Sequence, residues 1–366
     1  MITKIYIDNF RCFTNFELEL GPFHLLLGEN GSGKSSLFDA LVRIQRLLLG
    51  VTTRHLFRSV DLTGWDNRTT QEFAVEMRVG EDQFRYELRV EHEAGRGMEH
   101  IAKERLFWFS SPVYAFESGH AQLYSVSPSG TAVDASFPFD PGRSYISFLP
   151  ERPGNQPLER FRQAVCQWFH LGLSPGRMDA YSRDESTGMA RDGSDFISWY
   201  MYLATARPEA VARVSESLQE VIPGIEHLHL ETIGEAKWLE ARFKGLKRAL
   251  PLFQLSDGQR ALIVLYTILK AAPALAYSLF MIDEPDNYVS LREIQPWLTE
   301  LEDLCREGNR QALLISHHPE LINRLAKDYG LLFTRPDGGP VRVTKGYPVV
   351  DGLTAAETMA RGWGDE

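Results

Sequence analysis

Cysteine is scarce: the 366 residues hold three, Cys12, Cys166 and Cys305, spaced for neither a disulfide framework nor a CxxC zinc pattern. No run of eighteen apolar residues occurs, and the opening MITKIYIDNF has no apolar signal-peptide core. Neither a membrane span nor a leader is therefore expected, and the chain reads as a reduced, soluble, cytoplasmic protein. Basic residues are in deficit, with 39 Lys and Arg against 49 Asp and Glu and a formal charge of −10. That balance excludes a general polycation coating nucleic acid, although a local basic patch stays compatible with it. Internal repeats and sustained heptads are absent too, so no long coiled-coil arm is expected. What remains is ordinary globular composition, 43% hydrophobic and 24% charged, at a length that suits two or three structural units or one large α/β unit with insertions.

Periodicity gives the order of elements. Ile5 and Ile7 alternate with polar neighbours, as do Phe16, Leu18 and Leu20, so two half-buried strands open the chain. Phe23–Leu27 is nearly all apolar, as a strand covered on both faces must be. A glycine-rich loop follows, then a helical stripe at 37, 38, 41, 44 and 48 that Gly50 would end. Phe73–Val79 and Phe84–Val90 read as a β-hairpin across a polar turn, with short strands near Leu106–Trp108 and Val113–Phe116. Residues 127–157 read as irregular and 158–223 as helical, with Ser194 as an N-cap. A second hairpin near His227–Leu230 and Trp238–Phe243 leads to buried strands at Leu279–Ile282 and Leu313–Ile315, separated by a helix over Gln295–Arg306. Leu331–Phe333 and Val341–Val343 form a last hairpin.

The chemistry concentrates at strand ends. Gly28-Glu29-Asn30-Gly31-Ser32-Gly33-Lys34-Ser35 fits G-x-x-x-x-G-K-[ST], with Ser36 just inside the helix. The glycines let backbone N–H groups curl around a β-phosphate, Lys34 bridges β- and γ-phosphates, and Ser35 ligates Mg²⁺. A strand before the loop and a helix after it supply the context that an anion site needs. Tyr277–Ile282 then delivers Asp283 and Glu284 to a sheet edge, where Asp283 would hold Mg²⁺ and Glu284 would polarise the attacking water. Leu255-Ser256-Asp257-Gly258-Gln259-Arg260 precedes an apolar helix, and its serine, glycine and helix N-terminus suit an anion. Leu313-Leu314-Ile315-Ser316-His317-His318 places two histidines beyond a buried strand. A two-histidine metal site is disfavoured there, because adjacent side chains diverge and no third ligand is evident. His227 and His229 share a strand face and carry the same weak metal reading. Cys12 has no partner base nearby in sequence, so it is not a nucleophile candidate.

These motifs, in this order, carry a resemblance. LSDGQ looks like the LSGGQ signature of ABC-type ATPases, with Asp257 in place of one glycine, and it stands 27 residues before Asp283. The resemblance implies that Ser256, Asp257, Gly258 and Gln259 of one subunit cap the γ-phosphate held by the P-loop of another. It also makes His317, by the family's spacing, the switch histidine contacting that phosphate. Ile7-Asp8-Asn9-Phe10-Arg11-Cys12-Phe13 ahead of GENGSGKSS resembles the RecF/SMC branch, including small RecF-like predicted AAA-type ATPases and OLD proteins. The branch implies that Arg11 reaches the nucleotide phosphates. The resemblance is clear over roughly 1–50 and 250–335 and loose between them, although GMARDGSDFISWYMYLA at 188–204 is faintly similar to the small ATPases as well.

Two departures matter. The Mg²⁺-sensing glutamine of transporter and SMC members has no evident counterpart between P-loop and signature. No acidic TOPRIM-like set follows His317, so an OLD-type nuclease is not expected in this chain.

The expected fold is α/β: an ABC-type P-loop core from 1–60 and 250–350, an antiparallel β-region at 61–157, a helical lobe at 158–224, a hairpin at 225–249 and a tail at 351–366. The implied cofactors are ATP and Mg²⁺, and the implied state is an ATP-dependent homodimer that releases on hydrolysis. The leading expectation is a switch in DNA metabolism or bacterial antiviral defence, with a separate effector protein and no membrane. Arg242, Lys244, Lys247 and Arg248 form a basic stretch that could meet DNA or another nucleic acid. Two rivals stand beside it. A transporter-type ATPase subunit is disfavoured by the N-F-R start and by the 222 residues from Lys34 to Ser256. An ATP-binding scaffold with little turnover is the other.

Overall fold

A computed structural model describes residues 1–93, 98–127, 130–149, 155–307, 310–347 and 353–361. Its centre is a six-stranded sheet in the spatial order Trp168–Leu171, Leu279–Asp283, Gln311–Ile315, Phe23–Leu27, Gly330–Thr334 and Arg342–Lys345. The first five strands run parallel and the last turns back. Their apolar runs follow from cover on both faces. Leu25, Leu27, Phe280, Ile282, Ala312 and Leu314 enter one core with the long helix Asp257–Leu275. Their neighbours Leu26, Leu279, Met281, Leu313 and Ile315 enter another with the helix Lys34–Leu48.

That second core is closed by an eight-stranded antiparallel sheet running Phe16–Glu19, Ile2–Asp8, Thr70–Val79, Asp82–Glu93, Met98–Trp108, Ser111–Glu117, His120–Ser127 and Gly130–Pro138. One face is dry: Phe73, Val75, Met77, Phe84, Tyr86, Leu88 and Val90 are buried, while the residues between them are partly or fully exposed. The two N-terminal strands thus belong to the antiparallel layer, and the chain crosses to the parallel sheet at Phe23. Buried Gln311 fastens the layers, with its amide nitrogen donating to the carbonyls of Ile2 (2.8 Å) and Gly21 (2.7 Å) and its oxygen accepting from Ile2 N (2.9 Å).

Two segments differ from the sequence reading. Of the stretch taken as irregular, Gly130–Pro138 is a strand paired with His120–Ser127, whereas 128–129 and 150–154 lie outside the described residues. Within the stretch taken as helical, Trp168–Leu171 is an edge strand of the parallel sheet, between helices Gln156–Cys166 and Phe196–Ala206. The cap of the latter helix is Asp195, one residue beyond Ser194. A three-stranded sheet, Ile225–Ile233, Ala236–Phe243 and Leu250–Pro251, contains the second hairpin. Of the tail at 351–366, residues 351–352 and 362–366 lie outside the described residues, and Ala355–Ala360 is a short helix. No helix among the described residues is long and apolar enough to cross a membrane.

Candidate nucleotide site

A cleft of about 160 Å³ opens at the C-terminal edge of the parallel sheet, lined by residues 30–36, Asp283, Glu284, Ile315 and His317. Register explains the convergence. Phe23–Leu27 ends at the P-loop, Leu279–Asp283 ends at the acids, and Gln311–Ile315 between them ends at the histidines. Side chains almost 290 residues apart in sequence therefore meet where an open parallel sheet binds ligands. A larger cleft, about 380 Å³, lies on the outer face of the antiparallel sheet. Its charges are matched across strands, as in Lys4–Glu17 at 3.0 Å and Arg89–Glu72 at 2.7 Å, so it lacks the concentrated charge of a phosphate site.

The P-loop is held in shape by its own lysine. Lys34 is buried, and its Nζ donates to the carbonyls of Gly28 (2.6 Å) and Glu29 (2.8 Å) and to Ser32 Oγ (3.4 Å). Burial lowers the Lys34 pKa to about 8, against the opposing pull of Asp283, Glu284 and Glu29. Ser35 sits exposed on the first turn of the helix, next to Lys34. At the facing strand end, burial raises the pKa of Asp283, which Arg191 and Lys34 counter. Glu284 adopts a left-handed backbone, φ +51°, rare for a residue with a side chain. Its N–H donates to Ile315 O (2.8 Å) and its Oε2 accepts from Asn287 Nδ2 (2.5 Å). The hydroxyl of Ser35 and the carboxylate of Asp283 are hard oxygen donors of the kind Mg²⁺ takes, so the residues fit that ion.

The two histidines separate by role. His317 is exposed and lines the cleft. His318 caps the helix Pro319–Tyr329, its Nδ1 accepting from Glu320 N (3.2 Å). Beneath them, buried Ser316 donates to Oδ2 of buried Asp286 (3.0 Å), a pairing that the sequence motifs did not signal. His227 and His229 have ring centres 5.7 Å apart, and His229 faces Glu240 at 3.5 Å. No group of three metal-ligating side chains occurs among the described residues.

The signature lies outside this cleft in its own chain. Ser256 is exposed and caps the helix Asp257–Leu275 in a reciprocal box: its Oγ accepts from Gln259 N (3.2 Å), and Gln259 Oε1 accepts from Ser256 N (3.1 Å). Asp257 pairs with Arg260 at 2.5 Å. Gly258 is packed so closely that a β-carbon there would stand 2.6 Å from the carbonyl oxygen of Tyr288, in the loop after Glu284. This close approach is a local reason for glycine at that place in the motif.

Arg11 is occupied elsewhere. Its guanidinium pairs with Asp39 (2.7 Å) and Asp61 (3.0 Å), beside the P-loop helix rather than in the cleft lining. Buried Asp61 also holds Arg43 at 2.6 Å. Two arginines near the nucleotide site escaped the sequence reading. Arg335 donates from Nη1 to Gly31 O (3.1 Å), and Arg191 pairs with Asp283 (3.0 Å). Arg191 lies within the 188–204 stretch, which sequence reading tied to no site, and Arg335 lies in no motif; both arrive on loops that only the fold brings to the strand ends.

Comparison with known proteins agrees with this architecture. A family described as "AAA domain" matches residues 4–124, and one described as "AAA domain, putative AbiEii toxin, Type IV TA system" matches residues 147–323. No curated protein matches the chain. Among solved structures, an SMC head bound to the C-winged helix domain of ScpA is similar at 16% identity and a TM-score of 0.58, covering 94% of this chain and 97% of that one. An Smc head domain with an extended coiled coil, bound to the C-terminal domain of ScpA derived from Pyrococcus furiosus, is similar at 14% identity and a TM-score of 0.55, covering 99% and 98%. The two AAA-type domain matches and the SMC-head fold together support the resemblance to RecF/SMC-like ABC-type ATPases.

Proposed function

We propose that this chain hydrolyses ATP and that ATP closes two copies into a head-to-tail pair, which hydrolysis reopens. The observation that carries the reading is the meeting of Lys34, Ser35, Asp283, Glu284 and His317 around one cleft. Lys34 would leave its loop carbonyls for the β- and γ-phosphates, exchanging neutral acceptors for charged ones. Glu284, turned by its left-handed backbone and tethered to Asn287, would take the proton of the attacking water. His317 would donate to the γ-phosphate from the opposite strand end. Ser35 and Asp283 would hold Mg²⁺, which neutralises charge developing on the phosphate oxygens when bound.

The pairing rests on the place of the signature. Ser256 and the N-terminus of its helix are exposed but do not line the cleft of their own chain, so a second copy would have to bring them to the γ-phosphate. Exposed Phe253 and Tyr288 flank that helix start and would be covered in the pair. The description of the second domain match favours a role in defence, and the two solved heads bound to ScpA are a precedent for a separate protein partner. Lys244, Lys247 and Arg248 are exposed at a hairpin end, where Arg242 donates to Lys247 O (3.3 Å), and would meet nucleic-acid phosphates.

Gel filtration of the Glu284→Gln variant with Mg²⁺ and ATP tests the switch: a dimer should accumulate, and a monomer at saturating ATP would count against it. Turnover with and without DNA, at several salt concentrations, tests the nucleic-acid role. Stimulation should fade steeply as salt rises, and tight ATP binding with near-zero turnover under all conditions would favour a scaffold instead.

A further inference from the structure

The acid expected to hold the metal already holds a cation of the chain's own. Arg191 Nη2 donates to Asp283 Oδ2 at 3.0 Å. It reaches Asp283 across Gly172, the residue immediately after the strand Trp168–Leu171, whose Leu171 is in register with Ile282. A β-carbon at Gly172 would lie 2.9 Å from Arg191 Nε, so a side chain there would push the guanidinium from its present path.

The loop carrying Arg191 is fastened to this strand end. Gly172 N donates to Arg191 O (2.9 Å), Ser174 N donates to Asp192 O (3.0 Å), and Arg177 pairs with Asp192 at 3.1 Å. On the far side of the same turn, Arg260 of the signature helix donates to Pro175 O (2.5 Å). A short chain of contacts therefore joins Asp283, through Arg191 and residues 172–177, to the helix that Ser256 caps.

Strength decides what such a contact can do. The Arg191 side chain is 54% exposed, and ion pairs of that kind contribute about 0–1 kcal/mol. It compensates Asp283 while no metal is bound, yet a divalent cation arriving with a polyphosphate can displace it. Arg191 takes Oδ2, and a divalent cation at either oxygen of the same carboxylate would stand close enough to the guanidinium for the two cations to repel.

We propose that Arg191 is a positioning residue that holds Asp283 in the metal-free state and is displaced by Mg²⁺–nucleotide, relaying the filling of the site to the 172–177 turn and the signature helix. This deepens the ATPase reading and rests on its nucleotide site. It also gives the chain a link between metal site and lobe at the sheet position next to the acidic strand, without a glutamine.

The test is a Mg²⁺ titration of binding of a fluorescent, non-hydrolysable ATP analogue to the full chain. Arg191→Gln should lower the Mg²⁺ concentration at half-saturation by up to about five-fold, the size of the pair that the metal no longer has to break. Gly172→Ala, which pushes the guanidinium aside and keeps its charge, should shift it in the same direction, and Arg191→Lys should fall between. Hydrogen exchange over 171–195 should quicken in wild type on adding Mg²⁺ with the analogue, and should already be fast in Arg191→Gln without metal. An unchanged or raised Mg²⁺ requirement in Arg191→Gln, or exchange in wild type indifferent to metal, overturns the proposal. If wild type binds no analogue at any Mg²⁺ concentration, it is the nucleotide site that fails.

Discussion

Two carboxylates in two sheets have opposite surroundings. Glu104, on the inner face of the antiparallel sheet, is fully buried and accepts three hydroxyls: Tyr86 (2.8 Å), Ser144 (2.6 Å) and Tyr114 (2.9 Å). No cation is among these partners, and burial raises its pKa to about 7. Asp283, at the edge of the parallel sheet, faces Arg191 and Lys34, and its neighbour Glu284 stands on a left-handed backbone. Nearby Asp286 is buried, and its Oδ1 has no hydrogen-bond partner among the described residues. Buried acid in the antiparallel layer is thus satisfied with neutral donors and contributes to one rigid packing. Acid at the parallel edge keeps unmet demand, as a site that must exchange partners requires.

The comparison is broken most sharply by swapping amides for acids. Glu284→Gln should lower ATP turnover about 10²–10⁴-fold while nucleotide binding persists, whereas Glu104→Gln should leave turnover near wild type. Steady-state phosphate release measures both, and equal losses in folded protein would erase the distinction. Next in size, Lys34→Ala should weaken nucleotide binding roughly 10–100-fold, the worth of charged hydrogen bonds, as read by titration calorimetry.

The third test uses pH. Because the folded pKa of Glu104 is raised from 4.5 to about 7, the folded state binds the proton more tightly than the unfolded state. Stability from this group is therefore full below pH 4.5 and lost as pH rises to 7, by roughly 3 kcal/mol at most. Glu104→Gln mimics the protonated acid, so its urea midpoint should gain on wild type between pH 5 and pH 8; a constant difference would show that Glu104 is ionised throughout. The smallest effect is expected from Ser256→Ala, which removes a helix cap worth about 1 kcal/mol. Thermal unfolding should report that loss, and gel filtration should report a weakened ATP-dependent dimer.

The site was more legible in the sequence than its supports. Lys34, Asp283 and His317 lie at the ends of apolar strands, and a strand covered on both faces announces itself through composition. The edge strand Trp168–Leu171 is equally apolar, but four residues between helices cannot be told from a helical turn by periodicity. Gly130–Pro138 was illegible for the opposite reason: its side chains are exposed or half-exposed, and alternation is confined to Ala135 and Phe137 near its end. Glu104 was missed because the sequence reading began its strand at Leu106; the strand starts at Met98, and Glu104, two residues before buried Leu106, shares its inward face. Arg191 and Arg335 act through loops whose destinations depend on tertiary packing alone.

One more consequence follows from the lysine inside its own loop. With Nζ bridging Gly28 O, Glu29 O and Ser32 Oγ, the ammonium braces the loop from within. On the proposed cycle, that brace would keep the cradle from collapsing between turnovers, and an arriving triphosphate would need only to swing one side chain aside.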